Sequence, residues 1–138
     1  MSGAGWAFGG MMQLSLKDDL PFTRLTVAYH GAALTIDNVL IDTGSASTVL
    51  AARAVAQMGI LPEMTDNVYT VRGIGGTEAV FTRRIDHIAI EEQTVTDFEI
   101  EVGGMSYGFE IDGILGMDFL TKAGAIINLH DLHLDFAN

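Results

Sequence analysis

Residues 39–50 constrain this chain more than any other stretch, because three apolar β-forming residues lead into Asp42-Thr43-Gly44 and a second apolar run follows. Asp and Gly are ordinary turn residues, so the tripeptide alone fits a strand that ends in a surface turn. A surface turn does not need apolar residues on both sides, whereas a carboxylate held at the floor of a cleft does. The pattern therefore favours a buried strand that delivers Asp42 into a tight turn.

Runs of β-forming residues between turn signals fill most of the chain and predict an all-β fold with two short helices. One helix is expected over 48–58, where apolar residues recur at helical spacing and Gly59 follows. The other is expected over 117–123, before Gly124. The predicted strands cover 25–29, 34–41, 68–71, 79–82, 85–90, 95–102, 125–129 and 132–136.

The tip of the hairpin between strands 68–71 and 79–82 is almost all glycine, with the sequence Gly73-Ile74-Gly75-Gly76. A plain glycine-rich turn is one interpretation. A mobile flap is the other, because glycine permits unusual φ values and lets the backbone approach a ligand closely. A phosphate-binding loop is excluded, since no Lys-Ser or Lys-Thr pair follows the glycines and the chain is acidic.

Acidic residues outnumber basic ones by 18 to 7, which gives a net charge of −11. This balance argues against nucleic acid or an anionic membrane surface as a partner. A chain of 138 residues that is 49% hydrophobic fits one folded domain. Zero cysteines exclude disulfides, no apolar run approaches the ~20 residues of a membrane-spanning helix, and no signal in the sequence assigns a compartment.

A third motif, Ile114-Leu115-Gly116, precedes the second predicted helix. Taken in order with Asp42-Thr43-Gly44-Ser45 and the glycine-rich tip, it resembles the retropepsin-like aspartic proteases, the half-size, homodimeric relatives of pepsin. The resemblance extends over residues 21–136 and is closer to cellular and bacterial members than to viral ones. It implies a closed, β-barrel-like acid-protease fold with a flap hairpin over 21–138. The glycines among residues 1–10 suggest a flexible N-terminal arm, which is placed at 1–20.

The resemblance also implies a chemistry for the first motif. Each chain supplies one catalytic Asp42, so a symmetric homodimer is needed to form a pair of carboxylates that shares one proton and activates a water molecule. Thr43 is expected to bond across the dimer, Gly44 to bring backbone N–H groups to the carboxylates, and Ser45 to donate to the outer carboxylate oxygen. The substrate is a peptide or protein, and neither a metal nor another cofactor is required.

A set of residues around this pair is expected to bind the substrate. The resemblance implies that they are Ser45, Ala46, Gly73, Ile74, Gly75, Gly76 and Ile114. The glycine-rich tips close over an extended peptide and pair with it as an added strand does. Ile114 lies near an apolar substrate pocket.

Two departures from the viral pattern affect the expected dimer. Viral members carry an Asp four residues after the catalytic one and an Arg just after the last glycine, and these two residues pair. Ala46 and Met117 stand there in this chain, so both partners of the ion pair are gone. Residues 128–138 also continue past the usual viral end, which predicts a rearranged terminal sheet at the dimer interface.

Several alternatives remain open on the sequence. His130, Asp131, His133 and Asp135 are candidate metal ligands, although their alternation with apolar residues favours the polar face of a strand. Asp112 and Asp118 are candidates for a second acid in the same chain, but an acid in the first turn of a helix is the simpler interpretation of Asp118. For the whole chain, the alternative to a protease is a catalytically silent dimerisation or peptide-binding module of the same fold.

Overall fold

The computed structural model of the protein describes residues 12–73, 76–105 and 110–137. The strands are Met12–Gln13 (β1), Ser15–Lys17 (β2), Leu20–Tyr29 (β3), Ala32–Ile41 (β4), Val49–Ala51 (β5), Val68–Gly73 (β6), Gly76–Ile90 (β7), Gln93–Gly103 (β8), Gly113–Leu115 (β9), Ala125–Asn128 (β10) and His133–Phe136 (β11). The helices are Ala52–Val55 (α1), which continues as a 3-10 turn over Ala56–Met58, and Met117–Ala123 (α2).

Six strands form a ring in the order β3-β4-β9-β5-β8-β7, and a direct pairing of β3 with β7 closes it. The main apolar core is made by residues that alternate along these strands, among them Val27, Val39, Leu50, Ile100 and Leu115. Two further strands extend the ring, β2 beside β3 and β6 beside β7. The predicted all-β, barrel-like fold with two short helices is confirmed.

The strand that carries the first motif is buried on one face, as the sequence predicted. Val39 and Ile41 of β4 are buried in the core, and Leu40 between them is half-buried on the other face. β4 pairs in parallel with β9, with Ile41 opposite Leu115. This pairing brings the end of β4 directly against the third motif, although the two lie more than 70 positions apart in the chain.

The helix predicted over 48–58 is wrong in its first part. Val49–Ala51 is instead strand β5, which pairs in parallel with β8 and antiparallel with β9. Leu50 and Ala51 are fully buried in this arrangement, so tertiary pairing outweighs the local helical spacing. Helix α1 starts only after the strand, and Gly59 ends the 3-10 turn in the left-handed conformation as predicted. None of the helices in the described ranges is long and apolar enough to span a membrane.

The predicted strands 79–82 and 85–90 form one continuous strand of 15 residues, β7. Its first half pairs with β6 to make a hairpin, and its second half pairs with β3 and β8. Arg83 lies in the stretch that joins the two halves. Its guanidinium has partners inside the protein, so this charged residue does not interrupt the strand.

The folded part begins earlier than the predicted boundary at residue 21. β1 pairs with β11, and β2 pairs with β3. Met12 and Leu14 are buried in the main core, so residues 12–20 are an integral part of the domain and not an arm. The three-stranded terminal sheet, in the order β1-β11-β10, is built within one chain.

Arg83 anchors the loop that leads into the flap hairpin. Its side chain and that of Asp66 are only 9% and 8% exposed, and their nearest N and O atoms are 2.7 Å apart. Arg83 also donates to the carbonyl of Leu61 at 2.9 Å, and the N–H of Glu63 donates to Asp66 at 2.6 Å. The loop before β6 is therefore fastened to β7 by a charged, hydrogen-bonded pair.

Asp66→Asn should lower the free energy of unfolding by an amount that depends on pH. Burial acts to raise the pKa of Asp66, but the Glu63 N–H and the Arg83 guanidinium outweigh it and leave that pKa below its ordinary value of 3.8. A carboxyl group of this kind stabilises the fold above the unfolded-state pKa, and the contribution is lost as the pH falls through the folded-state pKa. Urea unfolding of parent and variant should therefore differ most at pH 6 and converge below pH 3.8.

Asp97→Asn is the matched control for this experiment. Asp97 pairs with Arg84 on the surface, where both side chains are largely exposed. An exposed ion pair of this kind contributes little to the free energy of unfolding. We expect its unfolding midpoint to follow that of the parent at every pH. A difference between the parent and Asp66→Asn that stays constant from pH 6 to pH 2 would contradict the proposed anchoring role.

Candidate active site

Asp42 stands at the end of β4 in a turn that its own main chain closes. The N–H of Asp42 donates to the carbonyl of Leu115 at 3.0 Å, and the N–H of Ser45 donates to the carbonyl of Asp42 at 3.1 Å. The N–H of Gly44 donates to Oδ1 of the Asp42 carboxylate at 2.9 Å. A Cβ at Gly44 would lie 3.2 Å from that same oxygen, so glycine permits this close approach.

The other residues of the first motif lie on the surface of the single chain. Thr43, Gly44 and Ala46 are exposed, and Ser45 is half-buried. We predicted that the Ser45 hydroxyl donates to the Asp42 carboxylate. In the single chain it donates instead to the carbonyl of Ser47 at 2.7 Å, so its hydrogen is engaged within the loop. A serine hydroxyl has only one hydrogen to donate, which makes the two arrangements exclusive.

A buried hydrogen-bond network fastens the Asp42 loop to the start of α2. The side chain of Thr48 is fully buried; its hydroxyl donates to Asp118 at 2.7 Å and accepts from the N–H of Gly116 at 3.1 Å. The N–H of Thr48 donates to the other oxygen of Asp118 at 3.1 Å. Asp118 is thus more than an acid in the first turn of a helix, because its carboxylate bridges two segments 70 positions apart.

The main chain adds to this network. The N–H of Met117 donates to the carbonyl of Ser45 at 2.8 Å, and that of Asp118 donates to the carbonyl of Ala46 at 3.2 Å. The Asp42 loop is therefore held to the start of α2, while Thr43, Gly44 and Ala46 within it remain exposed. No local pattern in the sequence indicates the role of Thr48, since its partner Asp118 is 70 positions away.

A row of half-buried side chains crosses four neighbouring strands beside Asp42. Leu40 lies opposite Ile114, Ile114 opposite Val49, and Val49 opposite Glu101. Leu40 is two residues before Asp42, so by strand alternation the row is on the same face as the carboxylate. Ile114 was predicted near a substrate pocket; Leu40 could have been found from its spacing to Asp42, but Val49 and Glu101 needed the register of the sheet.

The hairpin that was predicted as a flap is the antiparallel pair β6–β7, with Gly73 opposite Gly76 at its end. The predicted contacts of Ile74 and Gly75 fall outside the described residues. Tyr69 of β6 reaches across β7, and its hydroxyl donates to the carboxylate of Glu101. Burial, followed by the hydrogen bond to Glu101 and its negative charge, raises the pKa of the Tyr69 phenol well above its usual value.

The remaining acids of interest have structural partners. Asp112 forms an ion pair with Arg53 at 2.6 Å and accepts from Asn38 at 3.2 Å. His133 and Asp135 lie on the polar face of β11, on either side of the buried Leu134, as their alternation predicted. Within residues 12–73, 76–105 and 110–137, no three His, Asp or Glu side chains are grouped so as to hold a metal ion.

Comparison with known families decides the relationship. Residues 25–119, which contain the Asp42 turn, both strands of the flap hairpin and the start of α2, match the model of a family described as aspartyl protease. The chain belongs to the aspartyl protease family. A search of curated proteins found no match.

The aspartyl protease assignment agrees with a comparison of folds. The chain matches the crystal structure of a retropepsin-like aspartic protease from Rickettsia conorii with a TM-score of 0.63. The alignment covers 91% of this chain and 98% of that chain, at 16% sequence identity. This member of the family therefore has the retropepsin-like fold that its three motifs predicted.

Proposed function

We propose that this protein is an aspartic endopeptidase that acts as a homodimer and hydrolyses peptide bonds with a water molecule activated by two Asp42 carboxylates. The observation that carries the proposal is the Asp42 turn. Its carboxylate accepts from the N–H of Gly44, and the loop that carries it is fastened to the start of α2 through Thr48 and Asp118. Asp42 is half-buried next to two exposed residues of the same turn. An oriented acid on a rigid support is what general acid–base catalysis requires.

The single chain supplies one acid, so the reaction needs a second copy. A twofold axis next to Asp42 brings the two carboxylates together, and their mutual repulsion keeps one of them protonated. The ionised carboxylate takes a proton from water as its oxygen attacks the scissile carbonyl carbon, and the protonated carboxyl group gives its proton to the carbonyl oxygen. The resulting tetrahedral intermediate collapses when the C–N bond breaks: the leaving nitrogen takes the proton that the first carboxylate removed from water, and the second carboxylate takes back a proton from a hydroxyl group of the intermediate as the product carboxyl group forms.

Surface properties near Asp42 support the proposed dimer. Thr43 and Gly44 are exposed in the single chain, and among the described residues the Thr43 hydroxyl has no hydrogen-bond partner. Met117, which follows the third motif, is 37% exposed beside this loop. In place of the viral ion pair, Ala46 and Met117 offer apolar surface to a second copy, and apolar contacts are typical of obligate homodimers.

The flap and the half-buried row complete the proposed cleft. Gly73 to Gly76 cover an extended peptide by main-chain hydrogen bonds, as added strands do. Ile114, with Leu40 and Val49 on the neighbouring strands, offers apolar surface to the substrate side chains. Ser45 and Ala46 border the other side of the carboxylate.

The proposal is tested by incubating the protein with a mixed peptide library from pH 3 to pH 7 and identifying cleavage products by mass spectrometry. We expect a bell-shaped pH profile, because one carboxyl group must be ionised and the other protonated. Specific activity should fall on dilution because the dimer dissociates. The loss of activity should match the rise in the monomer fraction measured by analytical ultracentrifugation. A folded dimer without any cleavage would instead favour the catalytically silent dimerisation or peptide-binding module.

A further inference from the structure

We propose that Glu101 and Tyr69 form a subsite that selects a substrate residue with a long, positively charged side chain, Lys or Arg. The subsite lies at the far end of the half-buried row, where three apolar residues lead to a carboxylate. This inference rests on the proposed function, because it assigns a preference to the same cleft. It adds a specificity-determining residue that lies outside the three motifs.

The geometry of the row follows from the sheet register. Leu40, Ile114, Val49 and Glu101 are laterally paired on the adjacent strands β4, β9, β5 and β8. Three strand spacings separate Glu101 from β4, which is about 14 Å. An extended peptide covers about 3.3 Å per residue, so Glu101 serves a residue beyond those that flank the scissile bond.

The burial pattern places the row on the face of the sheet opposite the main core. Its three apolar members, Leu40, Val49 and Ile114, are half-buried because they pack on a second, smaller cluster of buried residues. The neighbours of Glu101 on β8, Ile100 and Val102, are fully buried in the main core, whereas Glu101 itself is half-buried. On β5, Val49 is likewise half-buried, whereas its neighbours Thr48 and Leu50 are fully buried. A Lys or Arg side chain fits such a surface, because its methylene stem packs on apolar groups while its charged end reaches a carboxylate.

The row ends in the carboxylate of Glu101, which has no cationic partner among the described side chains. The Tyr69 hydroxyl donates to one oxygen, Oε2, of Glu101. Among the side chains of residues 12–70, 79–105 and 110–137, no Lys, Arg or His forms an ion pair with Glu101. Glu99 adds a second negative charge close enough to act on Tyr69.

These groups favour a cation over a neutral or acidic side chain. The second carboxylate oxygen of Glu101 is available to accept a charge-assisted hydrogen bond, which is about twice as strong as a neutral one. The Tyr69 hydroxyl holds the carboxylate in one orientation, so little side-chain freedom is lost on binding. The net charge of −11 also raises the local concentration of cationic peptides.

The test uses a series of peptides that share one cleavable apolar core. Each position outside the two residues that flank the scissile bond is occupied in turn by lysine, norleucine or glutamate. Norleucine keeps an aliphatic stem and lacks the charge. Affinity is measured by fluorescence anisotropy on the Asp42→Asn variant, and kcat/KM on the parent, both at pH 6 and low salt. We expect lysine to be favoured over norleucine about tenfold at one outer position, and glutamate to be disfavoured there.

Glu101→Gln should abolish this preference, since glutamine can still accept from Tyr69 but carries no charge. Glu101→Arg should reverse it towards glutamate. Glu92→Gln removes the same charge from an exposed turn and should leave the preference unchanged. Equal affinity for lysine and norleucine at every position, or an unchanged preference in Glu101→Gln, would overturn the inference. Binding with the expected preference but no cleavage by the parent would refute only the proposed catalysis.

Discussion

Asp42→Asn should lower kcat/KM for peptide cleavage by a factor of at least about 10³ while the protein stays folded and dimeric. Asparagine has nearly the same shape, and its Oδ1 can still accept from the Gly44 N–H, which lies 2.9 Å from Oδ1 in the parent. It cannot take a proton from water, so the chemical step is lost. Cleavage is followed by mass spectrometry, and dimerisation by ultracentrifugation.

Asp37→Asn serves as the control, because Asp37 lies on the same strand β4 but is exposed on the surface. Its kcat/KM should equal that of the parent. Equal cleavage by the parent and by Asp42→Asn would point to a contaminating protease and remove Asp42 from the proposed mechanism.

A mixing experiment separates a shared site from a site within one chain. The parent and Asp42→Asn are mixed in equal amounts and allowed to exchange subunits freely. If two Asp42 residues form one site, the mixture should have about one quarter of the activity of parent protein at the same total concentration, because only parent homodimers are active. If each chain holds a complete site, about one half is retained. The second result would contradict the homodimeric mechanism.

Gly116→Ala should lower the free energy of unfolding by about 3 kcal/mol and also impair cleavage. A Cβ at Gly116 would lie 2.3 Å from the carbonyl oxygen of Ser47 and 2.9 Å from that of Ser45. Both contacts are with main-chain atoms, so no side-chain rotation relieves them. The Asp42 loop must move away, which breaks the hydrogen bond from the Gly116 N–H to Thr48.

Urea unfolding at pH 6 measures this loss, and Gly59→Ala provides the comparison. A Cβ at Gly59 meets nothing within 4 Å, but its φ of +85° is strained for alanine. This backbone strain alone should cost about 1 kcal/mol. A loss in Gly116→Ala no larger than that in Gly59→Ala would mean that the loop tolerates displacement and that the close fit behind Asp42 has no energetic role.

Much of the fold could be predicted because it depends on local patterns. The turn at His30-Gly31 is a two-residue hairpin turn with φ of +51° and +84°, conformations that glycine in particular allows. Gly59 and Gly124 end their helical segments in the left-handed conformation for the same reason. The chain order of the three motifs likewise indicated the family without a structure.

The local patterns failed where a segment has partners far along the chain. Residues 49–51 have apolar spacing that suits a helix, yet they form β5, since β8 and β9 offer paired positions on both sides. Residues 12–20 were assigned to a flexible arm, but β1 and β2 find partners in β11 and β3. Backbone hydrogen bonds to distant strands outweigh intrinsic preferences of a few tenths of a kcal/mol per residue.

The sequence by itself determined which residue is the candidate for the proposed chemistry: Asp42 stands between apolar runs, followed by the glycine that lets its carboxylate meet a backbone N–H. Only the tertiary structure decided what surrounds it. Thr48 meets Asp118 across 70 positions, and Val49 meets Glu101 through a strand pairing. The reason is physical, since a turn depends on neighbouring residues, whereas the register between strands depends on how the whole core packs.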